Sequence, residues 1–332
     1  MIGIGIYQMK AIPLQVIENI EKAEHYISKT VKEGAQLVVL PEMFNVGFST
    51  NEKLMRLAEP LDGYTLNWLK NQAAKHKIYI TTSIYERFEG DFYNTMVMVG
   101  SDRSLQIYRK RNPTCQERLV WKRSDRPGPG IFKTPFGRIG GAICFDSFSR
   151  ETYEGFKKSR VELVVIVALW GTIRPEFKHP DTYCFNKILN HQSYLASEVI
   201  PYKYATQLGV PVVYTAQCGT IQFPVNHPGF YPFPDWPKTE YEFKGNSNIY
   251  DASGKRLIRD VDKKGEFCSV AWVEINQAEE KTEISRINIP SQYMKNSYYF
   301  VEPPFMFKLY QKLCFSGFET QYDQMRIKEW AG

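Results

Sequence analysis

Residues 2–42 read IGIGIYQMKAIPLQVIENIEKAEHYISKTVKEGAQLVVLPE, and the architecture is set by the periods in this stretch. Ile2, Ile4 and Ile6 alternate with Gly3 and Gly5, a period of two that predicts a strand. Val16, Ile17, Ile20, Ala23, Ile27 and Val31 then recur at helical spacing, and Leu37 to Leu40 is an unbroken apolar run. The unit is strand, helix, strand. Outward from it, Leu66, Leu69 and Ala73 share one helical face, and strands are expected at Ile78 to Ile84, Thr95 to Val99 and Ser104 to Tyr108, with no helix between them. Arg138 to Cys144 predicts a strand, Glu151 to Lys158 a helix, and Leu163 to Leu169 a strand. A long helix around Asn186 to Gln207 leads to strands at Pro211 to Ala216, Ser247 to Tyr250 and Ser269 to Val273. Helix-separated strands mixed with consecutive ones predict α/β layers with mixed sheets, and the continuous apolar runs predict sheets covered on both faces.

Two stretches read as loops: Gly171 to Pro180, and Phe223 to Lys244, where Pro224, Pro228, Pro232, Pro234 and Pro237 sit among aromatics. Neither divides the chain into halves, and Pro290 to Gly332 reads as a tail with aromatic anchors. The composition, 43% hydrophobic and 23% charged, is that of a globular protein with enough apolar side chains for a sizeable core. The 42 basic and 36 acidic residues are interleaved without a clustered basic stripe, pairs such as Lys157-Lys158 and the triplet Arg109-Lys110-Arg111 standing apart, which argues against a nucleic-acid partner. Six widely spread cysteines without a CxxC pair give neither a disulfide framework nor a metal site. The opening residues lack the features of a signal peptide, and no window approaches the roughly eighteen apolar residues of a membrane span. A reducing cytoplasm is the expected location.

Three residues stand where chemistry gathers in layered α/β proteins, just beyond the carboxyl ends of strands. Glu42 follows Leu37 to Leu40 in VVLPEMFNVGF, Lys110 follows Ser104 to Tyr108 in YRKRNPTCQERLVW, and Cys144 ends RIGGAIC. Taken singly, the first two read as solvated loop charges and the third as a buried structural thiol. Taken together they can do more. A thiol nucleophile needs a group that accepts and returns a proton, and positive charge or N–H donors where negative charge develops. A glutamate and a lysine supply both without histidine, and none of His25, His76, His179, His191 or His227 falls in these segments.

The three segments, in this order, resemble the nitrilase superfamily, the carbon–nitrogen hydrolases, over nearly the whole chain. LVVLPEMF, Tyr93-Asn94-Thr95 with YRK, and GRIGGAICFD are similar to the family's glutamate, lysine and cysteine motifs; ALWG, LGVPVV and GNSNIYDASG resemble its later landmarks. The resemblance implies a four-layer αββα sandwich, spanning residues 1–289, with residues 290–332 as an extension at a dimer interface. It further implies Cys144 as nucleophile, Glu42 as general base and acid, Lys110 as stabiliser of the tetrahedral intermediate, and Glu117 as a supporting carboxylate. On this reading the Phe145 N–H helps to hold the oxyanion and Trp170 borders the pocket. No metal or organic cofactor is required.

The implied activity is hydrolysis of a small-molecule amide, of the amidase or carbamoylase type, through a thioester on Cys144. RKRNPTCQERLVW resembles the nitrilase branch, whereas Phe145-Asp146 in place of that branch's usual Trp-Glu is closer to amidases, so a nitrile is the alternative substrate. A soluble acyltransferase, using an amine where the hydrolase uses water, is a further alternative. A non-catalytic binding homologue is the last, and the retention of Glu42, Lys110 and Cys144 argues against it. The segment after Trp170 departs from the family pattern. Phe230, Tyr231 and Trp236 are candidates for an aromatic pocket wall selecting a bulky substrate.

Overall fold

The computed structural model describes residues 1–49, 52–114, 117, 120–173, 190–223, 239–258 and 265–275. The first sheet has the order β14 (Phe267–Val273), β1 (Ile2–Gln8), β2 (Leu37–Val39), β3 (Tyr79–Phe88), β4 (Asp91–Val99) and β5 (Leu105–Arg109). The second runs β13 (Asn248–Tyr250), β10 (Val212–Ala216), β8 (Leu163–Ala168), β7 (Gly137–Ile143) and β6 (Gly130–Thr134). Both are mixed, for a reason visible in the sequence. Strands separated by a helix pair in parallel, as β1 with β2 and β7 with β8, and strands joined by short turns pair antiparallel, as β3 with β4 and β6 with β7.

Ile2, Ile4, Ile6, Leu37, Val39, Met96 and Met98 of the first sheet share one core with β7, β8 and β10 of the second. The opposite face of the first sheet carries Val38, Ile80, Val97 and Val99 and is covered by α1 (Val16–Lys32) and α2 (Tyr64–His76). On the far side of the second sheet, Tyr153 and Phe156 of α3 (Arg150–Lys158) meet Tyr204 of α4 (Ile200–Leu208) edge to face. The layers are therefore helix, sheet, sheet, helix. Strand β8 is buried at every position, as its unbroken apolar run requires.

Three local readings need correction. Within α1 the inward set is Asn19, Ile20, Ala23, Ile27 and Thr30, whereas Ile17 is exposed. The first turn faces a chain segment in place of the sheet: Asn19 accepts from the Ile12 N–H at 2.7 Å and donates to Ile12 O and Asn45 O. The two expected loops hold strands at their ends. Strand β9 (Gly171–Ile173) and strand β12 (Thr239–Lys244) join β11 (Cys218–Phe223) in a third, antiparallel sheet of order β11-β12-β9. Strand β6 was not foreseen, and pairs with β7 as a hairpin. The helix expected at Asn186 to Gln207 is described from residue 190, with a wider π-helical turn at Leu195–Val199 before α4. Phe230, Tyr231, Trp236 and the segment 290–332 lie outside the described residues.

Candidate active site

Glu42 occupies the tight turn that follows β2. Leu40 N–H donates to Thr81 O, Met43 N–H donates to Ser83 O, and the Thr82 hydroxyl donates to Pro41 O at 2.8 Å. The neighbouring strand thus continues to hold the chain after β2 ends. Met43 takes a left-handed φ of 54°, unusual for a residue with a side chain, and reverses the chain there. Glu42 is completely buried.

Lys110 follows β5 and is likewise held by its neighbour, its N–H donating to Asn94 O at 2.8 Å. Its ammonium reaches across to two carboxylates, donating to Glu42 Oε1 at 2.9 Å and to Glu117 Oε1 at 2.6 Å. The second oxygen of Glu117 accepts the Thr114 N–H at 2.6 Å. Asn94 Nδ2 donates to Glu42 Oε1 at 2.6 Å. Both donors to Glu42 therefore use one oxygen. Glu42 Oε2 is buried and accepts from nothing.

Cys144 begins the turn after β7. The strand passes through a narrow gap, because a Cβ on Gly140 would stand 2.8 Å from the Phe156 ring of α3 and one on Gly141 2.4 Å from Phe132. Only glycines let the strand lie so close to both neighbours. Cys144 then adopts a left-handed φ of 49° and opens a single helical turn, Cys144–Phe148, that runs into α3. The Ser147 hydroxyl donates to Cys144 O at 2.7 Å and the Tyr204 hydroxyl donates to Ser147 O at 2.9 Å. The elbow is pinned again through Asp146, whose Oδ2 accepts the Tyr108 hydroxyl at 3.0 Å and whose Oδ1 accepts Asn112 N–H and Nδ2 at 2.8 and 2.9 Å. Asp146 thus ties the cysteine turn of the second sheet to the lysine loop of the first.

The electrostatics follow from burying two carboxylates, a thiol and one ammonium together. Burial raises Glu42 to about 7, with Lys110 pulling it down and Glu117 pushing it up. Burial would lower Lys110, but Glu117, Glu42 and Cys144 hold it well above its ordinary value. Burial and then Glu42 raise the Cys144 thiol, against Lys110 and a backbone hydrogen bond from Leu169. The resting arrangement is a neutral thiol beside a carboxyl group poised near neutrality and a fixed positive charge. Such a set can move one proton between sulfur and oxygen and can stabilise negative charge.

Phe145 and Trp170 meet close by. The Phe145 ring stacks on Phe148 with centroids 5.7 Å apart, and Trp170 packs edge to face against both. Trp170 is buried and its indole N–H has no partner. Several residues of the site escaped the sequence reading as functional. Asn94 bonds Glu42 directly, and its signal was an amide in a strand that continues into the apolar MVMV. Gln217 donates to Glu42 O at 2.8 Å and Met43 O at 3.3 Å, and nothing in its sequence neighbourhood marks it. Among the described residues no group of three His, Cys, Asp or Glu side chains could hold a metal ion, and no helix is long and apolar enough to cross a membrane.

The profile of the carbon–nitrogen hydrolases matches residues 3–281. A nitrilase from Pyrococcus abyssi is 34% identical over 155 residues, 46% of this chain and 59% of that protein. An omega-amidase from Xenopus tropicalis is 29% identical over 157 residues, 45% of this chain and 56% of that protein. The chain spans about half the length of the curated relatives it matches. In fold it is similar to an amidase from Nesterenkonia that carries an acrylamide adduct on its active-site cysteine. The TM-score is 0.64 at 14% identity, over 89% of this chain and 99% of that one.

Proposed function

The chain belongs to the carbon–nitrogen hydrolase family, and from that premise we propose that it hydrolyses a small-molecule amide through a thioester on Cys144. The observation that carries this reading is the buried, unpartnered Glu42 Oε2 in the same charged cluster as the thiol of Cys144, while Oε1 is committed to Lys110 and Asn94. A buried carboxylate oxygen left without a donor costs about 1–3 kcal/mol. That cost is offset when the oxygen receives a proton from sulfur.

Glu42 Oε2 takes the thiol proton as sulfur attacks the amide carbon, and the carbonyl π pair becomes the oxyanion of a tetrahedral adduct. The Lys110 ammonium and the Phe145 N–H stabilise that oxyanion. Glu42 returns the proton to the departing nitrogen, the carbon–nitrogen bond breaks, and a thioester remains. Glu42 next takes a proton from water, hydroxide adds to the thioester carbon, and the collapse of that adduct expels the thiolate, which recovers the proton as the acid leaves. Glu117 keeps Lys110 in place, and Trp170 offers its free indole N–H to the substrate. The nitrilase relative supports a second reading in which the electrophile is a nitrile carbon.

The reading extends to a hydrolase domain over residues 1–289 and an extension, 290–332, that pairs subunits. A monomer in light scattering at micromolar concentration removes the pairing. The activity is tested by incubating wild type and Cys144→Ala with amides, carbamoyl amino acids and nitriles, measuring ammonia and the intact mass. Ammonia together with an acyl adduct, both lost in the variant, is the expected result. Equal release from the variant sinks the thiol mechanism, and no release from wild type on any of them points to an amine acceptor or to no catalysis.

A further inference from the structure

The small third sheet has no part in the chemistry above, yet it lays an aromatic ring over Gly171, two residues beyond the Leu169 that bonds Cys144. Strand β8 ends at Ala168, and the next residue, Leu169, makes the backbone hydrogen bond to Cys144. Two residues on, Gly171 opens β9 and pairs with Phe243 of β12. The Tyr241 ring lies directly over Gly171: a Cβ there would stand 1.9 Å from Tyr241 Cε1 and 2.7 Å from Cζ. Any other residue at 171 would push the ring away. Phe48 stacks behind Tyr241 at 6.1 Å between centroids, and Phe243 meets it edge to face at 5.3 Å. Leu169, Phe48 and Phe243 form one buried apolar cluster, with Ile221 and Tyr241 packed against it. Tyr241 itself keeps part of its surface open. Burial pushes its hydroxyl up, and Cys144 and Glu117 add to that, so the ring lies within electrostatic reach of both.

We propose that Tyr241 is the specificity-determining residue of this site: its ring, fixed over Gly171 and backed by Phe48 and Phe243, is the wall beside Cys144 that limits the acyl group to an unbranched apolar chain. The inference deepens the proposed hydrolase function, and it rests on that reading for the word acyl. A wall held on three sides cannot swing away, so each added group that meets it is rejected at close to full cost. One methylene misfit in an apolar pocket is worth about 10-fold or more in selectivity. The described residues that hold the ring, Leu169, Phe48 and Phe243, are apolar and favour an apolar acyl chain.

The shape of the pocket can be read without any hydrolysis, by alkylating Cys144 with iodoacetamide and with its N-benzyl derivative and following both by intact mass. The expected result is that Tyr241→Ala raises the rate with the bulky reagent relative to the small one by about tenfold, that Tyr241→Phe keeps the wild-type ratio, and that Gly171→Ala alters it. Tyr241→Leu, which keeps apolar bulk and loses the flat ring, replaces the alanine variant if that one loses its circular dichroism. An unchanged ratio in a folded Tyr241→Ala or Tyr241→Leu overturns the proposal, as does a wild-type Cys144 that neither reagent reaches. A shifted ratio in a protein that releases no ammonia from any amide or nitrile removes the hydrolase reading and leaves the wall standing.

Discussion

On the proposed mechanism one proton passes between Cys144 and Glu42. With Cys144 raised by burial and Glu42 held at about 7 by burial against Lys110, the thiol is neutral at rest and Glu42 changes state across neutrality. The proposed mechanism needs the carboxylate free. The acid limb of kcat/KM should therefore have an apparent pKa near 7, belonging to the coupled pair, with activity rising as pH rises. Glu42→Gln should lower the rate by about 10²- to 10⁴-fold and erase that limb; an unchanged limb in the variant would assign it to another group. Lys110→Met leaves two buried carboxylates facing each other, a loss on the order of 3–5 kcal/mol. The sign follows from which form the fold prefers. A carboxyl raised above its unfolded value is best tolerated in acid and costs more as pH rises through its folded value, so the melting temperature of this variant should fall further at pH 8 than at pH 5. Glu42, Lys110 and Cys144 were legible in the sequence because each stands just past a strand, in a recognisable stretch. Asn94 and Gln217 were not, because a polar residue inside a strand shows its partner only once the strands are assembled.

Elements place these residues through their ends. The Glu42 turn and the Lys110 loop extend their strands by one or two backbone bonds from a neighbour, whereas the Cys144 elbow is held by side chains, and the Glu42 turn and the elbow each reverse at a left-handed residue. Asp146 holds elbow to loop with three accepted bonds. Asp146→Ala strands those donors and should cost roughly 1–3 kcal/mol of stability, with kcat falling more than KM rises because the thiol loses its aim. Asp146→Asn keeps an acceptor oxygen and should recover part of both; equal kinetics in all three proteins would make Asp146 a purely structural support. Element boundaries were the least legible part of the sequence. TEYEFK alternates like any strand, but the prolines just before it dominate that neighbourhood and hide the period. In α1 the helical face was read from apolar residues alone, and so placed Ile17 inside and passed over Asn19.

Across the whole molecule the two sheets divide the site between them. The first supplies Glu42 and Lys110 and the second Cys144, and Gln217, bridged to Met9 at the junction, ties the strands of the second to the Glu42 turn. Gln217→Ala should lower stability by about 1–3 kcal/mol and slow turnover even where substrate binding is kept; a variant as fast as wild type would show that the sheets keep their alignment without it. The layered architecture was legible because parallel and antiparallel connections leave different sequence spacings, whereas the way one sheet faces the other leaves none. The pairing of β1 with β14 joins residues 2–8 to residues 267–273 along seven register positions. A ribosome therefore releases the first strand more than two hundred residues before its partner exists. Through that interval IGIGIYQ offers an open row of peptide groups flanked by isoleucines, the kind of edge that recruits other chains. Synthesis interrupted just before Phe267 should yield insoluble protein even though every residue of the candidate site has been made.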